Sequence, residues 1–273
     1  MVLLIVVANT LNAQSIITGT VLDKDTNEPL AYVNIGIENS NLGTVSDENG
    51  NFELKISSTN DLLVFSYLGY QSEQLAISLV QEHSQIFLKP SPINIDEINI
   101  VSTNFDKELI LGVRNENGRG RSVGFGNAQL GTELGALIEI KKETLIKSAN
   151  FVLNHAKGDS LLLRLNIYNY ENGKIGDKVL QENIYIKEKQ RTGLFTIDLE
   201  SYELLLTNDV LLTVEWLRDF GENGNKSITF DTKKAKKLKG TFIRVSKTKD
   251  FIKLPIKKKY KPCIYFVGKQ SSN

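Results

Sequence analysis

"TGTVLDKDTNEPLAYVNIGIENSNLGTVSDENGNFEL", residues 18–54, decides the fold. In residues 17–23, and again in 31–37, apolar side chains recur at every second position. That period belongs to a strand with one face buried and the other in water. Phe52-Glu53-Leu54-Lys55-Ile56 resumes the rhythm. Between the first two runs, Lys24-Asp25-Thr26-Asn27-Glu28-Pro29 reads as a turn, because Asp and Asn bond their own backbone and Pro fixes φ. Asp47-Glu48-Asn49-Gly50-Asn51 is a second turn, whose Asn-Gly pair suits the positive φ of a tight hairpin.

The acidic turns invite a calcium reading. Asp23, Asp25 and Asn27 match the first ligand positions of an EF-hand loop, but Glu28 stands where the bend needs glycine and Asn34 where a bidentate Glu belongs. A looser site made with Asp47 and Glu48 stays open, but no metal or cofactor is expected, and these residues are read as the frame of a β-sandwich.

Gly19, Val21, Asp23, Pro29-Leu30, Val33-Asn34-Ile35, Gly43-Thr44, Asp47, Gly50, Phe52 and Phe65-Ser66-Tyr67-Leu68-Gly69-Tyr70 form an ordered series. Over about residues 16–90 it resembles the carboxypeptidase-regulatory-like domain of Bacteroidetes type. The resemblance implies a seven-stranded transthyretin-like sandwich without an activity of its own. Such domains often stand at the front of TonB-dependent outer-membrane transporters. Residues 93–101, Ile-Asn-Ile-Asp-Glu-Ile-Asn-Ile-Val, are similar to the segment that follows the domain there. A plug and barrel would come next, yet only about 150 residues remain, fewer than a barrel of that class needs.

Upstream, MVLLIVVANTLNAQS carries a short apolar run and a small residue at Ala13, which reads as a secretory leader over residues 1–13. No Lys or Arg precedes the run, so a truncated leader and an ordinary first strand both stay open. The absence of Cys after Ala13 argues against a lipid anchor at that site, and no run is long enough to span a membrane as a helix. Cys263 is the only cysteine, so stability is expected from packed cores and not from disulfides. The net charge of +1 hides an asymmetry: residues 1–110 hold 4 Lys and 14 Asp or Glu, residues 230–273 hold 14 Lys or Arg and only Asp231 and Asp250. The basic end suits an anionic surface, the protein's own acidic half, or simply the solvated guarding of edge strands.

Residues 102–121 are polar and Gly-rich and read as a linker between domains at 14–101 and 122–273. Gly118-Arg119-Gly120-Arg121 is too short to indicate nucleic acid, and Gly124, Gly126 and Gly131 lack the strand-to-helix context of a dinucleotide site. Beyond the linker, nine strands are expected near residues 134–141, 147–155, 161–169, 179–186, 194–199, 210–217, 228–232, 241–245 and 263–267. Nine strands suggest a larger, jelly-roll-like sandwich, so the fold class is all-β throughout. The order of residues 167–186 and 192–217 also looks like adhesion or carbohydrate-binding jelly rolls.

Alternation assigns faces. Leu163, Leu165 and Ile167 share one face and leave Arg164, Asn166 and Tyr168 on the other; Asp198 and Glu215 fall outside in their own strands, with Trp216 inside. If these strands are neighbours, Arg164, Asn166, Tyr168, Asp198 and Glu215 form a polar face with an aromatic, suited to a sugar, or else a plain solvated face. Catalysis has little support. His83 and His155 do not supply the His-x-x-Glu of a zinc peptidase, and Gly-x-Ser-x-Gly and P-loop motifs are absent. A carboxylate pair for glycan hydrolysis stays open, since its spacing is set by the fold. The sequence thus points to an exported, non-enzymatic envelope module, periplasmic or outer-membrane associated, with an envelope protein or glycan as partner. The alternatives are a glycan hydrolase and a structural accessory of a transporter.

Overall fold

The computed structural model describes residues 15–91, 104–115, 122–126, 129–156, 161–188, 192–218, 227–234, 240–255 and 260–271. The leader, the 93–101 segment and residues 118–121 lie outside these. Two β-sandwiches are stacked side by side.

The first is built from β1 (Ser15–Asp23), β2 (Asn34–Ile37), β3 (Gly43–Val45), β4 (Asn51–Ile56), β5 (Leu62–Ser66), β6 (Glu73–Ala76), a one-and-a-half-turn helix α1 (Ile77–Glu82) and β7 (Gln85–Leu88). Its seven strands form sheets of order β4-β1-β7 and β3-β2-β5-β6. Alternation does its work here: Phe52, Leu54 and Ile56 of β4 point inward with Ile17, Val21, Ile35, Leu63 and Phe65, while Asn51, Glu53 and Lys55 stay in water. Both expected turns form. Asp23 Oδ1 accepts the Asp25 and Thr26 N–H groups, and Tyr70 donates to Asp23 Oδ2 at 2.6 Å. The Tyr70 hydroxyl, then those turn amides, hold the Asp23 carboxyl below the usual carboxylate range. Gly50 has φ +76°, and a Cβ there would stand 2.5 Å from Val21 O, so this turn position requires glycine.

One expectation changes. The second strand starts at Asn34 and not at residue 31, because Tyr32 turns the chain with φ 62° and sends its ring and carbonyl toward the other sandwich.

Among the described residues the second sandwich has fifteen strands: β8 (Phe105–Gly112), β9 (Ser122–Gly126), β10 (Glu133–Ile138), β11 (Thr144–Ala156), β12 (Leu161–Glu171), β13 (Lys174–Lys178), β14 (Ile184–Glu188), β15 (Gly193–Asp198), β16 (Leu205–Leu206), β17 (Val210–Trp216), β18 (Ser227–Lys234), β19 (Thr241–Arg244), β20 (Ile252–Lys253), β21 (Tyr260–Pro262) and β22 (Ile264–Ser271). The chain crosses repeatedly between two sheets, as in a jelly roll. One has the order β13-β12-β17-β10-β19-β20, with β14 on β12; the other runs β21-β18-β11-β22-β8, with β15 and β16 on β11 and β9 on β18. Trp216, Phe151, Phe230, Phe266 and the Leu163-Leu165-Ile167 row fill the space between them. Burying each such side chain stabilises by roughly 1.5–3 kcal/mol.

Two further corrections follow from pairing. Phe105–Gly112, read as linker, is strand β8, because its backbone pairs with β22 along a largely exposed edge. The run at 179–186 is strand only from Ile184: β13 ends at Lys178, the chain bends through residues 179–183, and β14 pairs with β12 farther along.

β17 is buried at every position, so both faces of its sheet are covered. Toward one end the outer face is covered by Phe251 and Phe242 over Leu137, Tyr168 and Leu211. Toward the other it is covered by the first sandwich, through Val45, Leu162 and Leu217 with Tyr32 and Leu130.

Candidate functional site

Outward-facing polar residues on β10, β12 and β17 would be solvated in an isolated sheet. Here they are sealed. Arg164 on β12 lies across from Glu215 on β17 in register and donates Nε to Oε2 at 2.9 Å and Nη2 to Oε1 at 2.8 Å. Asn166 Nδ2 donates to the same Oε2 at 2.9 Å. Glu133 on β10 accepts from Thr213 Oγ1 at 2.9 Å, from Arg244 Nη2 at 2.8 Å and from the Tyr168 hydroxyl at 3.1 Å, and it also pairs with Lys247. Lys247 Nζ stands 3.6 Å from Glu215 Oε2 and joins the two halves of the network. Exposure is 1% for Arg164 and 0% for Glu133 and Glu215. Charges so deep persist only when paired.

Burial alone would raise both carboxyls. Arg244 and Lys247 outweigh it at Glu133, and Arg164 and Lys247 outweigh it at Glu215, so both are held well below the usual range and stay ionised. Burial, then Glu133, raises the Tyr168 phenol. Lys178, on β13 directly across from Tyr168, is pushed down to about 7 by burial and then by the Arg164 and Lys247 charges.

Four of the five residues named from sequence, Arg164, Asn166, Tyr168 and Glu215, therefore meet on one sheet face. Asp198 does not join them. It lies on β15 in the opposite sheet, exposed, capping the Glu200 N–H at 2.9 Å. The open sugar-stacking face expected for the group is also absent among the described residues. Phe251 stands edge-on to the Tyr168 ring at 5.3 Å, and the Arg244 guanidinium lies 5.2 Å from the same ring. Sequence reading missed Glu133, Arg244, Lys247 and Lys178. The parity of Glu133 with Gly135 and Leu137 was a usable signal; the two basic residues of the 244–247 stretch looked like any solvated charges.

The seal is the joint between the sandwiches. Arg164 Nη1 donates to Tyr32 O at 3.1 Å. Gln129 Oε1 accepts the Gly43 N–H at 2.9 Å, and its amide nitrogen donates to Asn41 O and Val245 O. Thr248 Oγ1 is directed at Ile37 O and Ser40 O at 3.0 and 3.1 Å. Tyr32 and Tyr185 rings meet at 5.2 Å. The hydrogen bonds among these contacts join side chains of the second sandwich to backbone of the first, the tyrosines meet ring to ring, and none of them pairs an acidic with a basic side chain.

Beside the joint lies a cleft of about 1140 Å³, walled by β3 and β4 with Asp47, Glu48 and Glu53 on one side and by Gln129, Leu130, Leu217 and Arg218 on the other. Elsewhere Lys233, Lys234 and Lys253 are exposed, and Lys261 is lowered by burial and then by the Lys253 charge. Asp231 is buried in that region and accepts from Asn115 Nδ2 at 2.8 Å, which leaves the surface there basic. Among the described residues no group of His, Cys, Asp and Glu is placed to hold a metal ion, and no helix is long and apolar enough to cross a membrane.

Residues 17–100 match the family model of the CarboxypepD_reg-like domain. TonB-dependent receptor P39 of Formosa agariphila is 31% identical over 93 residues, 34% of this chain and 9% of the receptor. TonB-dependent receptor SusC of Bacteroides thetaiotaomicron is 28% identical over 89 residues, 33% of this chain and 8% of the receptor. The chain thus spans less than a tenth of these relatives' length. Over 94% of the chain and 63% of the other protein, the structure of infectious bursal disease virus Gx strain superposes with a TM-score of 0.27 at 12% identity, a level that carries no functional argument.

Proposed function

We propose that this chain, with its CarboxypepD_reg-like domain at residues 17–100, is a non-enzymatic binding or assembly module of the bacterial cell envelope. The observation that carries this reading is the fate of the most chemically capable residues. Glu133 and Glu215 are held by Arg164, Arg244, Lys247, Asn166, Thr213 and Tyr168, under the first sandwich at the Arg164 end and under Phe251 at the Tyr168 end, so they work as the keystone of a two-sandwich body. A glycosidic bond would have to reach Glu133 or Glu215 through that seal, which disfavours the hydrolase alternative.

The module is exported and outer-membrane associated, with the lysine surface around Lys233, Lys234, Lys253 and Lys261 facing an anionic partner such as lipopolysaccharide or an acidic glycan. Similarity to TonB-dependent receptors favours a second reading, in which the module stands beside such a transporter as a structural accessory. Co-sedimentation of the full chain with lipopolysaccharide-containing and zwitterionic vesicles, at low and moderate salt, tests the surface. Retention on the anionic vesicles alone, fading with salt and falling several-fold in a Lys233→Glu, Lys234→Glu, Lys261→Glu variant, supports it. Equal retention of the variant removes the lysine surface from the reading.

A further inference from the structure

β4 is the edge of its sheet, and its pairing shows which backbone groups are free. The Val21 N–H donates to Gly50 O at 2.8 Å, while the Thr20 N–H turns the other way to Ser84 O at 2.7 Å. Antiparallel pairs alternate from there, so Phe52, Leu54 and Ile56 bond to Gly19, Ile17 and Ser15. Asn51, Glu53 and Lys55 aim their N–H and C=O away from β1. At Asn51 these groups are taken by the turn: its N–H goes to Asp47 Oδ1 at 2.8 Å and its C=O accepts the Asp47 N–H at 2.7 Å. Glu53 and Lys55 have no backbone partner on that side among the described residues.

Both free positions border the cleft, so this edge has a second wall, formed by Leu130, Leu217 and Arg218. A cleft of about 1140 Å³ exceeds the ~300–1,000 Å³ usual for small-molecule pockets and leaves room for several residues of extended chain. The two open residues are two apart and carry opposite charges, which sets both hydrogen-bond register and side-chain preference for an added strand.

We propose that the β4 edge takes up an extended peptide strand of a partner protein, antiparallel, with an acidic residue opposite Lys55 and a basic residue opposite Glu53. This deepens the envelope-module reading and rests on it. Each of the two open residues exchanges a pair of backbone bonds with the guest, which reads acid-x-base from its N-terminus. The reversed order sets Lys against Lys55 and Glu against Glu53.

The test uses the full chain and two blocked peptides, Thr-Val-Glu-Val-Lys-Val-Thr and Thr-Val-Lys-Val-Glu-Val-Thr, with amide hydrogen exchange read at Glu53 and Lys55. The first peptide is expected to slow exchange at both amides and to bind about tenfold more tightly than the second, with the preference inverted in a Glu53→Lys, Lys55→Glu variant. Two results overturn the proposal: exchange at both amides unchanged by either peptide, or slowing without peptide that grows with protein concentration, which means a second copy pairs there. Neither result touches vesicle binding through the lysine surface, so failure here and failure of the envelope reading are told apart.

Discussion

At the scale of single residues, the decisive pair is Arg164 with Glu215. Both are fully buried and share two hydrogen bonds, so removing one leaves the other charged with no water to turn to. Arg164→Met is expected to cost about 3–5 kcal/mol in urea unfolding, and pairing it with Glu215→Leu should restore a large part of that loss. Lys178 makes a pH prediction. Its folded value near 7 lies below the ~10.4 of an unfolded lysine, so between those values the unfolded chain holds more protons and stability rises with pH. Below pH ~7 the penalty is complete. Lys178→Met should therefore raise the melting temperature by a few degrees at pH 6, and the gain should shrink as pH climbs toward 10, read by thermal unfolding across that range. Period-two alternation put Arg164, Asn166 and Tyr168 on one face of their strand and Glu215 and Asp198 on the outer faces of theirs, and joined them only on the condition that the strands are neighbours. It could not show that Asp198 belongs to the other sheet, because strand order is a long-range property, nor that the face would be covered.

At the scale of elements, local signals were strong where turn chemistry and alternation agreed, as in residues 18–54, and weak where a strand owes its existence to a neighbour. β8 is a case: its alternation is sparse and its composition that of a linker, and only the β22 ladder holds it straight. β13, β16, β20 and β21, each five residues or fewer, are edge pieces of the same kind. Tyr32 shows the converse, an alternating run interrupted because the joint needs its carbonyl turned toward Arg164. β2 carries a sharper test. A Cβ on Gly36 would stand 2.7 Å from both Ser246 Oγ and Thr248 Cγ2. Gly36→Val is expected to lever the sandwiches apart while leaving each core intact, seen as faster proteolysis within residues 246–248 and unchanged far-ultraviolet circular dichroism.

At the scale of the whole molecule, the sandwiches share polar contacts, an apolar patch and the lid over a buried ion network. They should unfold as one cooperative unit, giving a single calorimetric transition in the native chain and two in Gly36→Val. Two separate transitions in the native chain would show that the joint is too weak to couple them. The pairing of β8 with β22 sets how the second sandwich answers force. Phe105 is the Cα partner of Ser271, so the first residue of β8 and the last of β22 lie side by side at one end of the ladder. Tension between those points pulls across the strands and breaks the hydrogen bonds one after another, as a zipper opens, whereas a pull along the strands would strain the whole row at once. Stretched that way, the body should yield first at this seam and at low load, peeling one edge strand while the ion-locked joint stays closed.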